Sequence, residues 1–238
     1  YDIFDPASAA TAELERLAED GNTGPITTAF TTAQPNGVNA TFPGLLAPGA
    51  TQQMVFGVDP TANRYFSFAS MVIPSNDAFV GNNDPLSNEL FDAGGAFNGS
   101  LTFTVAGSQV WDAGTEVNNE VNAAFFDQTA ADAGTVESGT VALHPGFIDS
   151  VGNPGGTAII LGGTQSVGPL RTFGVTNADF TTANYDLLQV TIEEVASGTT
   201  ITNATINANT ATGNVPGSGG GGVFNDGGKV TITGGTIT

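Results

Sequence analysis

The chain of 238 residues has no cysteine, one histidine and only four lysine and arginine residues. The lack of cysteine excludes disulfides, zinc–thiolate sites and thiol catalysis. With 23 Asp and Glu residues, the formal net charge is -19. That charge argues against nucleic acid and anionic membranes as partners, since both would repel the chain. No apolar run approaches the roughly 18 to 20 residues of a membrane span.

Charged residues make up only 11% of the chain, so its polarity comes mainly from Thr, Asn, Ser and Gln. This composition is common in secreted and surface proteins, and we therefore predict an extracellular or cell-surface location. The sequence begins at Tyr1 rather than at methionine. Two explanations stay open, a secretion signal removed upstream and a partial sequence.

One helix is predicted near the start of the chain. Asp5 can cap it, Pro6 suits its first turn and Gly21 ends it. The apolar residues between them follow a helical spacing: Ala9, Ala12, Leu14, Leu17 and Ala18. We expect this helix to be short and half buried.

The rest of the chain up to residue 196 is predicted to form β-strands separated by Gly, Pro, Asn and Asp. The strand candidates are residues 26–32, 53–58, 65–73, 99–105, 157–161 and 187–195. Several alternate apolar and polar residues, as does the segment 101–105. Such alternation indicates antiparallel sheets with one solvated face, and the predicted fold is an all-β sandwich with one short amino-terminal helix.

The composition changes near Ser197, which divides the chain into a sandwich domain at 1–196 and a tail at 197–238. The tail is dominated by Thr, Asn and Gly, and we predict a flexible tether at 215–223. Short strands are predicted on either side of it, at 200–206 and 230–238. The second strand, with the glycines before it, is similar to one repeat of the parallel β-helix of bacterial surface adhesins. A single repeat cannot bury its own apolar face, so it must pack on another structure.

Three carboxylates follow apolar, strand-like runs, where a strand would give way to a loop. Asp77 lies in the segment 70–81, and Asp112 and Glu116 lie in the segment 111–116, on either side of a glycine-containing turn. Together they could bind one hard cation, because oxygen ligands suit Ca²⁺. The alternative is turn chemistry without a metal, since Asp favours loops and caps.

A catalytic role is not favoured by the sequence. His144 is the sole histidine, and no motif of an activated nucleophile accompanies it. We expect a hydrogen-bonded structural histidine there. Glu193 and Glu194 cannot act as a hydrolytic pair, because adjacent residues of a strand point to opposite faces. We therefore predict that the protein is not an enzyme.

Four segments in this order, at 12–21, 44–49, 68–81 and 111–116, resemble the spondin domain. This is the amino-terminal module of F-spondin, which also occurs in secreted bacterial proteins, and the resemblance covers about residues 4 to 196. It implies an antiparallel β-sandwich of C2-like topology, with roles in matrix attachment and cell adhesion and no catalysis. It also implies a bound Ca²⁺ at the three carboxylates named above. This chain departs from animal members in lacking cysteines and in having Glu at position 116, where Asp is frequent.

A further departure concerns the first strand. Members of the family usually begin with a β-strand well ahead of the helix, whereas this chain opens almost at the helix, which would leave an unpaired edge in the sandwich. We predict that a tail strand, at 229–238, fills that edge in its own copy or in the next one. Donation between copies would build a homopolymer, so the predicted function is a self-assembling surface-fibre subunit. The alternative is an adhesion module of a larger β-helical adhesin, with a matrix or cell-surface ligand.

Overall fold

The computed structural model describes residues 1–73, 75–118, 122–124, 128–146, 181 and 183–194, and the strand backbone at 204–208 and 220–226. Within these residues two helices precede the first strand, α1 at Ala12–Asp20 and α2 at Gly24–Ala33. A single 3-10 turn lies at Gly107–Gln109. Everything else that is regular is β-structure, as predicted.

Ten strands form two antiparallel sheets in the described part of the chain. They are β1 Val38–Leu45, β2 Thr51–Met54, β3 Tyr65–Met71, β4 Ala78–Gly81, β5 Leu101–Ala106, β6 Trp111–Asp112, β7 Ala142–Leu143, β8 Asp186–Ile192, β9 Ala204–Ala208 and β10 Gly220–Asp226. The six-stranded sheet has the order β1-β10-β3-β4-β6-β7, and the four-stranded sheet has the order β2-β9-β8-β5. The predicted β-rich class is therefore confirmed.

One apolar core receives side chains from both sheets. Phe66 and Phe68 of β3 lie in it, together with Val105 of β5 and Val190 of β8. Phe68 also contacts Phe103 of the four-stranded sheet, with ring centroids 5.6 Å apart. The inward side chains of the two sheets thus bury one another.

A second core lies between the helices and the six-stranded sheet. Leu17 of α1 and Phe30 of α2 pack there with Ala69 of β3 and Phe79 of β4. Val80, the neighbour of Phe79, belongs to the first core instead, because successive side chains of a strand point to opposite faces. Strand β4 is therefore covered on both faces, and the polar residues at its ends lie in a buried setting.

Helix α1 begins later than the sequence predicts. Its cap is Thr11, whose Oγ1 accepts a hydrogen bond from Leu14 N at 3.3 Å, rather than Asp5. Ser8 N donates to Asp5 O, so the start of the predicted helix forms a turn ahead of α1. The predicted end is confirmed, because Gly21 follows the helix with a φ of 63°, a left-handed conformation that suits glycine.

The predicted strand at 26–32 is wrong, because these residues belong to helix α2. Ile26 and Phe30 are four residues apart and both are buried, which fits a helical face. Thr28 lies in the helix interior and its Oγ1 donates to Gly24 O at 2.9 Å. The high β-propensity of Thr and Ile was misleading here, because a threonine hydroxyl can bond to the helix backbone itself.

The remaining strand predictions differ in accuracy. The candidates 65–73, 99–105 and 187–195 overlap β3, β5 and β8. The candidate 53–58 is wrong beyond β2, because the strand ends at Met54 and Val55 is half exposed. Strands β1, β4, β6 and β7 were missed. The candidates 157–161 and 230–238 lie outside the described residues.

Two strands of the predicted tail belong to the sheets. Strand β9 overlaps the candidate 200–206 at residues 204–206 and pairs with β2 and β8. Strand β10 pairs with β1 and β3, so the predicted tether at 215–223 is wrong for residues 220–223. Glycine disfavours a strand, but a partner on each side satisfies the backbone of β10. The division of the chain at residue 196 stays a prediction.

The predicted fold had one helix, so the second helix, α2, is an addition to it.

Candidate functional site

The pairing of β4 with β6 brings two of the predicted site residues together. Ala78 lies opposite Asp112 in this pair, and Asp77 directly precedes Ala78. Asp77 thus lies immediately before β4, and several residues separate it from the end of β3 at Met71. The side chain of Asp77 is fully buried and that of Asp112 is nearly so. Two carboxylates therefore meet at one end of a strand pair, away from bulk water.

The two oxygens of Asp77 have very different surroundings. Oδ2 accepts three hydrogen bonds, from Thr115 N at 2.8 Å, Thr115 Oγ1 at 3.1 Å and Glu116 N at 3.0 Å. Oδ1 is buried and has no hydrogen-bond partner among the described residues. A buried polar atom without a partner is costly, so Oδ1 requires either a proton or a cation.

Burial raises the pKa of Asp77 to about 8, and the negative charge of Asp112 adds to the rise. The hydrogen bonds from Thr115 and Glu116 act in the opposite direction and do not cancel it. Two facing carboxylates in a dry environment favour a neutral form of one of them unless a positive charge is present.

Asp112 is held by the turn that follows it. Its Oδ1 accepts from Gly114 N at 2.7 Å, and its Oδ2 accepts from Asn118 Nδ2. Gly114 has a φ of 69°, and a Cβ there would lie 2.8 Å from Thr140 N. Glycine is thus required both by the backbone conformation and by the close approach of the neighbouring segment.

His144 lies behind Asn118 and does not contact the carboxylates directly. Its Nδ1 accepts from Gly146 N at 3.1 Å, so Nε2 carries the proton and donates to Asn118 Oδ1 at 3.0 Å. Asn118 therefore connects His144 to Asp112. The predicted hydrogen-bonded histidine is confirmed, and its link to the site through Asn118 is an addition.

The side chain of Glu116 has other partners than Asp77 and Asp112, although its backbone N–H donates to Asp77. Its Oε2 accepts from Asn76 Nδ2 at 3.2 Å and its Oε1 accepts from Gly134 N at 2.7 Å. Burial raises the pKa of Glu116, and the charges of Asp20 and Asp132 raise it further. The carboxylate of Glu116 thus faces the side of α1, while its N–H faces Asp77.

A separate group of carboxylates lies on α1. One oxygen each of Glu15, Glu19 and Asp132 lies within 4.8 Å of the others, and no other such group of three occurs in the described part of the chain. No sequence motif indicated this group, because Asp132 is far from α1 along the chain. The i, i+4 spacing of Glu15 and Glu19 was the one available signal.

Three residues that hold the predicted carboxylates were also missed by sequence reasoning. Thr115 and Asn118 lie beside the motif that contains Asp112, so their polarity was a usable signal. Gly134 had no such signal. A Cβ there would lie 2.0 Å from Glu116 Cδ, so a glycine is needed where this loop meets the carboxylate.

The fold and the site define a β-rich domain with two helices on one sheet and a buried carboxylate pair at a strand end. A family model described as Spondin_N matches residues 1–140, which is more than half of the chain. The chain therefore belongs to the spondin N-terminal family, as its sequence segments indicated. No curated protein and no solved structure matches the chain.

Family membership carries a general functional meaning. Spondin domains are typically secreted, are associated with the extracellular matrix and adhesion, and are generally not enzymes. Among the described residues, neither helix has the length and apolar character that crossing a bilayer requires.

Proposed function

We propose that this protein is a non-enzymatic extracellular structural subunit that assembles into fibres by exchanging β10 between copies. The main observation in support is the position of β10 inside the six-stranded sheet, between β1 and β3. Family membership supports the extracellular and adhesive setting. The first core, filled from both sheets, supports a β-sandwich as the body of the subunit.

Strand β10 completes the sheet through its backbone on both sides. Gly222 lies opposite Thr41 of β1 and Ala69 of β3, and Phe224 lies opposite Asn39 and Ser67. Without β10, both β1 and β3 would present unpaired N–H and C=O groups along an edge. The sheet therefore has a slot that an extended segment of matching register fills.

The same ladder forms whichever copy supplies the strand. Residues 220–226 are distant in sequence from both 38–45 and 65–71, so no short turn forces pairing within one chain. Pairing within one chain is favoured only by the effective concentration that the intervening residues provide. At high protein concentration, donation to a neighbour becomes competitive, and repeated donation in one direction gives a fibre.

A cysteine pair tests the exchange directly, because the natural chain has no cysteine. Ser70 and Gly221 are register partners, and paired Cα atoms about 4.5–5.5 Å apart suit a disulfide. The variant Ser70→Cys with Gly221→Cys is concentrated, oxidised and run on a non-reducing gel. We expect covalent dimers and larger species from concentrated samples, and cross-linked monomers from dilute samples.

The matched control is Ser70→Cys with Asp226→Cys, because Asp226 pairs with Tyr65 at the other end of β3. It should give no specific cross-link. Cross-linked monomers at every concentration would contradict exchange. If negative-stain imaging then shows separate particles, the adhesion-module alternative is favoured.

We also propose that Ca²⁺ binds at Asp77 and Asp112 and stabilises the fold. The buried Oδ1 of Asp77, which lacks a partner among the described residues, supports an oxygen-binding cation there. A divalent ion would neutralise the two facing carboxylates. Glu116, the third residue of the expected site, accepts one hydrogen bond at each oxygen, from Asn76 and Gly134, and each oxygen retains a lone pair for a cation. As observed, it contributes its N–H to Asp77.

Chelation should lower the melting temperature by about 5 to 10 °C. A ligand at a hundred times its Kd contributes about 2.7 kcal/mol, and each 1 kcal/mol shifts the Tm of a chain of this size by about 2–4 °C. Asp112→Ala should remove this response. Asp92→Ala is the control, because Asp92 Oδ1 also accepts from the residue two positions on, Gly94 N, but is exposed. Equal melting curves of the natural protein with and without chelator would exclude the site.

A further inference from the structure

The carboxylates of Glu15, Glu19 and Asp132 come together across two elements. Glu15 and Glu19 are one turn apart on α1, so they share a face of the helix. Asp132 reaches that face from the segment 128–134, and one oxygen of each residue lies within 4.8 Å of the other two. Like charges at this distance repel one another unless a proton or a cation lies between them.

Glu19 supplies an independent observation. Only 2% of the residue is exposed, and its Oε2 has no hydrogen-bond partner within the described residues. This buried acid thus has one oxygen without a partner in the described part of the chain, and its carboxylate lies beside two other carboxylates, an arrangement that suits a cation.

Arg16 does not provide the missing positive charge. Its guanidinium forms ion pairs with Asp20 and with Asp132, the second at 3.0 Å. One guanidinium is shared between those two acids, while three further acids, Glu15, Glu19 and Glu116, lie nearby. Acidic groups therefore outnumber the cation at this place.

We propose that Glu15, Glu19 and Asp132 form a second Ca²⁺ site, separate from Asp77 and Asp112. Calcium binds oxygens at 2.3–2.6 Å, so two of its ligand oxygens are separated by at most about 5 Å. Three oxygens that lie within 4.8 Å of one another fit that range, and oxygens are the ligands that calcium prefers.

The ion would fasten the segment 128–134 to α1. That segment is already attached at both ends, because Gln128 Nε2 donates to Asp20 Oδ1 at 2.9 Å and Gly134 N donates to Glu116 Oε1 at 2.7 Å. Asp132 lies between these two attachments. Calcium at Asp132 would thus hold the middle of the segment, beside the loop that carries Asp112 and Glu116.

The test counts bound Ca²⁺ in the full chain by equilibrium dialysis and native mass spectrometry. The natural protein should bind two ions, and Asp132→Gly should bind one. Asp132 is exposed and has a φ of 58°, which glycine adopts without strain, so this variant should remain folded. Glu15→Ala should also lose one ion. Glu13→Ala, the same change on the same helix outside the group, should retain both.

Two results would overturn the second site. One is a natural protein that binds no ion beyond the one that Asp112→Ala removes. The other is an unchanged ion count in Asp132→Gly and Glu15→Ala, with circular dichroism showing both folded. In either case the site at Asp77 and Asp112 would be unaffected. An ion count that Asp112→Ala leaves unchanged, while Asp132→Gly loses one ion, would contradict the first site and leave the second.

Discussion

At the residue scale, the buried acid Asp77 determines how the site responds to its surroundings. One of its oxygens accepts three hydrogen bonds, while the other accepts none from the described residues. The first oxygen fixes the position of the carboxylate and the second requires a proton or an ion. Asp77 is therefore oriented whether or not cation is present, and only its charge state differs.

With chelator present, the free energy of unfolding should fall as the pH rises from about 4 to about 8. The ordinary pKa of an aspartate in this setting is 3.8, and burial raises that of Asp77 to about 8. Between these values the folded state retains a proton that the unfolded state has lost, so raising the pH favours unfolding. Urea unfolding at a series of pH values measures this slope.

Asp77→Asn should reduce the slope, because a neutral amide does not titrate. Asp92→Asn, at an exposed turn, should leave it unchanged. Saturating Ca²⁺ should remove the contribution of Asp77, since the ion stabilises the charged form. A slope in chelator that is identical in the natural protein and in Asp77→Asn would contradict the raised pKa.

The sequence identified two of the residues at this site for a physical reason. Asp77 and Asp112 are polar residues next to short apolar strands, so a shared edge was predictable once those strands pair. Glu116 was assigned to the same site from its spacing; its N–H donates to Asp77, and the role of its carboxylate as a ligand stays a prediction. The group on α1 depends on Asp132, whose approach to the helix is a tertiary contact.

At the element scale, α2 shows how local propensity can mislead. Threonine and isoleucine favour strands on average, and the segment 26–32 consists mostly of such residues. The spacing of Ile26 and Phe30 was the better guide, because both are buried against α1 and the sheet. A buried pair four residues apart indicates one side of a helix, whereas a strand would also bury the residue midway between them.

Thr28→Ala and Thr32→Ala should each raise the free energy of unfolding by up to about 0.7 kcal/mol. Both threonines are exposed on α2, and alanine has the higher helix propensity. If the segment were a strand, the same changes would be neutral or destabilising. Ile26→Ala, at a fully buried position, should instead lower the free energy by about 2–5 kcal/mol. Denaturant unfolding of the three variants gives the signs, and a loss of stability in both threonine variants would contradict the helix.

Strand β10, unlike α2, has no local sequence pattern that indicates its structure. Three of its residues, 220–222, are glycines, so its sequence alone predicts flexibility rather than a strand. Its structure depends on partners far away in sequence, and no local pattern contains that information. The sheet order could thus be predicted only in general terms, as an open edge that a tail segment fills.

At the scale of the whole molecule, the six-stranded sheet is the shared wall of both cores. One of its faces packs against the four-stranded sheet and the other against α1 and α2. The first proposed calcium site lies just before β4, where Asp112 is opposite Ala78 of the first core, and the second lies on α1. In the sheet order, β3 separates β4 from β10.

The net charge of -19 also belongs to this scale. Copies that approach one another to exchange a strand must overcome mutual repulsion, which extends about 8 Å at physiological ionic strength. Backbone ladders on both sides of β10 provide a short-range attraction that does not depend on charge. Bound calcium would reduce the repulsion as well.

The place of β9 and β10 in the sheet order affects when the protein can fold. Each pairs with two strands that come earlier in the chain, so neither sheet has its full order until residues 204–208 and 220–226 have been made. Most of the chain would therefore be synthesised before either sheet could be completed. Spondin domains are typically secreted, and a translocation channel that admits only unfolded chain would benefit from this delay. The proposed Ca²⁺ would then bind after translocation, once the sheets have closed.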